Sequence, residues 1–356
     1  MKERTRPRPD AAQVALFLAM CAVLTIAGCV LVQGIVTGPL APLLPSAPTP
    51  TRSGSPLVGS TRASSGVWRE GPAIPTERSE VAAAMVEGTI YVLGGLALDG
   101  RSLTTVEALA PDAGAWQPRA PLPEPRDHLA AVDLGGRLFV VGGSPGWFNQ
   151  QTSTTLWRYD AGADSWEARA PLPLGRAAHA AAVLDGKLYV AGGIGPDPQR
   201  LQVYDPETDT WALKAPLSRP REHLAAAAAG EALYVVGGRW GDVGNVGLLE
   251  AYDPQSDAWR TLAPMPTPRG GLAATALDGR LFVTGGEVLD ASAVTFPQLE
   301  VFDPQGGEWS SWAPLPTARH GLGAVARDGE VYVLAGGRRA GLTVSGLVEI
   351  LTPEGG

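Results

Sequence analysis

The chain has 356 residues, 45 of them glycine and 32 proline, and a net charge of −8. Its only cysteines, Cys21 and Cys29, share one apolar run near the N-terminus, so the rest has no disulfide framework, thiol chemistry or cysteine-based metal site. Five basic and two acidic residues precede position 53, leaving 23 basic and 34 acidic side chains beyond it; an acidic body argues against general nucleic-acid binding, which needs basic surface to displace counterions.

Residues Val14 to Val32 form 19 consecutive uncharged positions. As a helix they would span roughly 28 Å at ~1.5 Å per residue, close to a ~30 Å hydrocarbon core. Lys2, Arg4, Arg6 and Arg8 precede the run, and no basic residue follows before Arg52. The positive-inside rule therefore predicts a cytoplasmic basic tail over 1–13, a transmembrane signal anchor over 14–36 and a body outside the cytoplasm. Two alternatives stay open. One is a cleaved signal peptide, although such apolar regions usually run ~7–15 residues. The other is a lipoprotein: Ile26-Ala27-Gly28-Cys29 resembles a lipobox, although Val30-Leu31-Val32 continue the apolar run past Cys29. All three place the body outside the cytoplasm. Residues 37–66, rich in Pro, Ser, Thr and Gly, read as a linker.

From 67 to 356 one unit recurs six times. Trp68, Trp116, Trp166, Trp211, Trp259 and Trp309 are each followed ten residues later by Arg78, Arg126, Arg176, Arg221, Arg269 and Arg319. Sixteen residues after each arginine comes a small doublet, from Gly94-Gly95 to the imperfect Ala335-Gly336. Each unit predicts four strands, a to d. An Ala-rich strand a leads to a two-residue turn, Asp185-Gly186 in one copy, the strongest short hairpin signal. Strand b ends at the doublet, strand c carries sequences such as Val203-Tyr204-Asp205, and strand d starts at the tryptophan. Leu224 to Ala229 would look helical alone, but the register makes it a strand.

This W-x9-R, DG, LYV-x-GG, VYDP pattern resembles the Kelch repeat. The resemblance covers residues 68–351 and implies an all-β, six-bladed β-propeller of four-stranded blades, to which the apolar run adds an N-terminal transmembrane helix. Trp68 begins a strand d with no blade before it, and Val348 to Leu351 form a strand c with no tryptophan after it. The N-terminal strand is therefore expected to complete the last blade, giving a monomeric disk without an open edge.

Antiparallel strands put the b–c and d–a loops on one face, and loops on a rigid scaffold are where function concentrates. The expected ligand contacts are the six repeat arginines with Trp147, Phe148, Arg239, Trp240, Arg338 and Arg339, since aromatics and arginines are typical interface anchors. They predict a protein or carbohydrate partner carrying a carboxylate. The four histidines, His128, His179, His223 and His320, all lie one to three residues after a repeat arginine, and this recurrence reads as architecture. No metal or cofactor is expected. The repeat is shared with galactose oxidase, whose Cys-linked Tyr cannot form here. A similarity to the six-bladed sialic acid mutarotases implies an alternative, a sugar epimerase using Glu80, Asp127-His128 or Glu222-His223 beside an arginine for proton transfer. A purely structural envelope role is a further alternative. A binding module, not an enzyme, is the leading expectation.

Overall fold

A computed structural model describes residues 66–146 and 151–354. The expected tail and anchor, and the linker up to residue 65, lie outside the described residues. Among the described residues no helix is long and apolar enough to cross a membrane. Ser60–Gly356 forms one compact unit.

This unit is a six-bladed β-propeller, each blade built on four antiparallel strands in the order a-b-c-d, with a short fifth strand, Val294–Thr295, added to strand b of blade five. Blade three shows the pattern, with strands Ala180–Leu184, Lys187–Ala191, Arg200–Asp205 and Thr210–Pro216. Leu184 pairs with Lys187 across the Asp185-Gly186 turn, and both turn residues have positive φ, 50° and 70°. That is the primed geometry whose twist matches the flanking strands. The alanine run forms strand Ala225–Ala229, with alternate residues buried. Strands a of successive blades pack side by side around the axis, where small side chains allow close approach, and the last, Gly323–Arg327, packs against the first, Ala82–Val86.

Three sets of bonds join blade to blade. Each repeat tryptophan donates its indole N–H to a backbone carbonyl of the preceding blade: Trp68 to Ala313, Trp116 to Pro72, Trp166 to Ala120, Trp211 to Ala170, Trp259 to Ala215 and Trp309 to Ala263, all at 2.7–2.9 Å. The second residue of each doublet donates its backbone N–H to the carbonyl of the next blade's repeat arginine, and Gly336 to Arg78 completes the circle. At the second position glycine is required, since a Cβ on Gly95 would lie 2.5 Å from the Ser79 carbonyl oxygen; the first position is tight too, 2.5 Å from the Arg126 carbonyl oxygen at Gly94, but blade six accommodates Ala335 there. Closest to the axis, the residues two after each arginine form a ring: His128 N–H donates to Glu80, Ala178 to His128, His223 to Ala178, Gly271 to His223 and Gly321 to Gly271.

Closure agrees with the sequence expectation. Strand Gly66–Glu70 pairs with Val348–Pro353 as the outer strand of blade six, starting one residue before the expected boundary.

Candidate functional site

The structure buries the six repeat arginines inside the blades instead of presenting them on the loop face where ligand contacts were expected. Five of them are fully buried, and Arg126 is 4% exposed. Arg78, Arg221, Arg269 and Arg319 each form an ion pair inside their own blade, with Glu107, Glu250, Glu300 and Glu349. Their guanidiniums also reach strand b carbonyls of Val92, Val235, Val283 and Val333. In blade three, Gln202 stands at the glutamate position and Arg176 donates to carbonyls of Gly175, Pro196 and Asp197 instead. In blade two, Trp157 stands there, and Arg126 lies over its ring while pairing with Glu124. A cation out of water must be paired and hydrogen-bonded, and the Nη groups of these arginines are spent on such partners, although the Nε of all but Arg269 is buried without one.

The other expected contacts divide. Trp147 and Phe148 lie outside the described residues. Arg338 and Arg339 are exposed in the b–c loop of blade six. Arg239 and Trp240 do line a large cavity of about 740 Å³ on the axis, at the b–c face. Its floor comes from the residues just after the repeat arginines, and its walls come from b–c loops. A concave site with a few convergent polar groups is the usual form of a ligand pocket.

The floor is one polar network. Glu80, His128 and His223 stand on the axial ring in the left-handed region, at φ of 51°, 51° and 53°. Their counterparts in the other blades are Ala178, Gly271 and Gly321, so half the ring carries functional groups and half carries none to obstruct them. His128 Nε2 lies 3.4 Å and His223 Nε2 3.9 Å from Glu80 Oε2, and His320 Nδ1 lies 3.3 Å from Glu80 Oε1. The His128 and His223 rings meet edge-on at 4.9 Å. Each is flanked by the acid before it: Asp127 Oδ1 is 2.5 Å from His128 Nδ1, and Glu222 contacts His223 Nδ1. Arg239 joins the network, its Nε donating to Glu222 at 3.0 Å and its Nη1 to Glu287 at 2.9 Å.

Burial alone would raise the Glu80 carboxyl, but His128, His320 and His223 outweigh it and hold the group well below the usual range. Burial pulls His128 down, yet the charge of Glu80 and the bond to Asp127 bring it above the ordinary imidazole value. His320 is raised in the same way, by Glu80 and Glu287 against burial. His223 falls well below, from burial and then the positive charges of Arg239 and His128. Neighbouring imidazoles thus differ in their preferred protonation, as at sites built for proton transfer or metal ligation.

His179 belongs elsewhere. Beneath the ring the residues three after each arginine form an apolar collar: Val81, Leu129, Leu224, Leu272 and Leu322, with His179 in the sixth place. Burial and then Arg176 pull its pKa down to about 3. The unfolded chain takes up that proton near pH ~6.5, so the native state loses about 1.4 kcal/mol per pH unit from pH ~6.5 down to pH ~3, and nothing above. Replacing His179 with the leucine that four other blades carry should flatten this limb. Urea unfolding at pH ~4.5 should favour His179→Leu over the parent by about 2–3 kcal/mol more than at pH ~7. A constant difference across that window would show that His179 is protonated in the fold.

The profile of the KLHDC2/KLHL20/DRC7 Kelch-repeats domain matches residues 66–217 and 178–350. The chain belongs to the Kelch-repeat family. No curated protein matches this Kelch chain. Among solved structures, that titled "Structure of YjhT" aligns at a TM-score of 0.67 and 19% identity, covering 79% of this chain and 96% of the other. At that identity the likeness speaks for the fold. Kelch architecture accounts for the tryptophans, the doublets and the repeat arginines. The axial cluster is not part of that repetition, because only blades one, two and four supply its ring side chains.

Proposed function

We propose that this Kelch propeller is a carbohydrate-binding module, carried outside the cytoplasm by an anchor over residues 14–36, that takes its ligand into the axial cavity. The composition of the cavity carries the reading. Glu80, Asp127, Glu222 and Glu287 offer carboxylate acceptors, the imidazoles and Arg239 offer donors, and Trp240, Leu289 and Leu342 supply apolar surface. Sugar hydroxyls suit the first two groups, and the apolar faces of a pyranose suit the third. The expected preference for a carboxylate gives way here: the repeat arginines are buried, and the charge of Arg239 is already met by Glu222 at its Nε and Glu287 at its Nη1. Leu98, Val243, Leu289 and Val294, each at least 44% exposed, stand in b–c loops of the same face, which fits a glycan presented on a larger partner.

The Ser60–Gly356 unit closes its own ring, so it can be tested alone on a glycan array and by saturation-transfer NMR. Neutral glycans should bind, and Trp240→Ala should weaken them about tenfold or more, the loss typical of an aromatic anchor. No glycan binding, or a preference for acidic glycans, would overturn the reading. A sugar epimerase is the second reading, supported by geometry: the Glu80 carboxylate lies 3.4 Å from His128 Nε2 and 3.3 Å from His320 Nδ1, a carboxylate beside imidazoles with which a bound sugar could exchange a proton. NMR of freshly dissolved single anomers separates the two: accelerated equilibration abolished by Glu80→Gln supports the epimerase, and an uncatalysed rate supports the binder.

A further inference from the structure

We propose that Glu80, His128 and His223 form a binding site for one divalent transition-metal cation on the propeller axis. One carboxylate oxygen of Glu80 and one imidazole nitrogen from each histidine lie within 4.8 Å of one another, close enough to share an ion with only small side-chain movement. Two imidazoles and a carboxylate are the donors of open zinc sites and of other first-row cations, whereas calcium and magnesium prefer oxygen alone.

Three further features support the same site. Metal-bound imidazoles nearly always pass their second nitrogen to a carboxylate, which fixes the ring and raises its basicity. Here Asp127 stands at His128 Nδ1 and Glu222 at His223 Nδ1, leaving each Nε2 directed at Glu80. These partners are themselves held, Asp127 by the Ser102 hydroxyl and Glu222 by Arg239. Second, the equivalent ring positions of the other blades carry only Ala178, Gly271 and Gly321, which leave the space beside the three ligands clear. Third, the cluster forms the floor of the 740 Å³ cavity, so a coordination position would remain open for water or a ligand hydroxyl. His320 is placed to steady the other oxygen of Glu80, at 3.3 Å, and not to complete a closed four-ligand cage.

The test is zinc binding to the tag-free Ser60–Gly356 unit after removal of bound metal with a strong chelator. Titration against a chromogenic chelator should show one zinc per chain, and excess calcium or magnesium should not displace it. Cobalt substitution should give the visible absorption of a cation with fewer than six ligands. His128→Ala and His223→Ala should each abolish stoichiometric uptake, and Asp127→Asn should weaken it about 10–100-fold. His179→Leu, outside the cluster, should bind as the parent does. Circular dichroism and thermal midpoints separate loss of ligand from loss of fold. Failure of the unaltered unit to take up zinc or cobalt at micromolar concentration overturns the proposal, as does uptake unchanged in folded His128→Ala and His223→Ala. These readouts involve no sugar, so they stand or fall apart from the carbohydrate reading.

Discussion

Glu300→Ala should destabilise the propeller by about 3–5 kcal/mol, among the largest losses a single side chain here can cause. The reason is the charge it leaves behind. Arg269 is fully buried, and its Nη1 pairs with Glu300 Oε2 at 2.5 Å. Its other donors reach the carbonyls of Gly285, Thr267 and Val283. Burial already lowers this guanidinium's pKa, and Glu300 is what opposes that. Without the carboxylate a positive charge stays in the blade facing only dipoles. Glu300→Gln should cost less, about 1–3 kcal/mol, because the amide oxygen still accepts a hydrogen bond. Blade three shows that a glutamine is tolerated there, Gln202 bonding the backbone of Leu174 while Arg176 finds carbonyls elsewhere. Urea unfolding at pH ~7 measures the series. If Glu300→Ala costs under about 1 kcal/mol, water reaches Arg269 and the buried-pair account is wrong.

The glutamates that explain the arginines stood in the sequence. Strand c reads Val106-Glu107-Ala108-Leu109, Leu249-Glu250-Ala251-Tyr252, Leu299-Glu300-Val301-Phe302 and Val348-Glu349-Ile350-Leu351, with every residue buried. A carboxylate inside an otherwise apolar strand asks for a buried cation, and each lies 29–31 residues after its arginine. Taking the recurrent arginines as surface anchors left that demand unanswered. The blades themselves were legible because their signals are local: turn chemistry, a two-residue period and fixed spacings of Trp, Arg and Gly. The axial cluster was legible only in part. Glu80, Asp127-His128 and Glu222-His223 stood out as proton-transfer candidates, but which of them meet depends on the circular order of blades. Glu80 and His320 are 240 residues apart and become neighbours only when blade six closes on blade one. The histidines also looked alike by spacing, yet one position separates the collar, where His179 is buried among leucines, from the ring, where His128 and His223 face the cavity.

That closure depends on five residues, and removing them is the second large effect expected. A chain beginning at Gly71 should unfold at a midpoint about 10 °C or more below one beginning at Ser60. Strand Gly66–Glu70 pairs with Val348–Pro353 along its whole length, and Trp68 packs on the blade five and six core while its indole bonds the Ala313 carbonyl at 2.9 Å. Loss of a packed tryptophan costs about 3–5 kcal/mol at full burial, somewhat less for this half-buried one. Each lost ladder bond adds about 1 kcal/mol. For a domain of this size, each kcal/mol shifts the midpoint by about 2 °C or slightly more, so a total on the order of 5 kcal/mol gives the stated drop. Starting at Gly71 preserves the segment that leads into blade one: Ile74 stays in the core, and Pro72 keeps its carbonyl on the Trp116 indole. The truncation therefore isolates the strand. It also bares the edge of Val348–Pro353, and an unpaired edge invites another copy to add to it. The shortened chain should accordingly self-associate as concentration rises, with light scattering as the measure, while the Ser60 chain stays monomeric. Trp68→Ala in the full unit should reproduce part of the drop in midpoint without the association, because the backbone ladder persists. Equal midpoints for the two starts would mean that the ring is held by the inner strands and the Gly336 to Arg78 bond, with the outer strand of blade six dispensable.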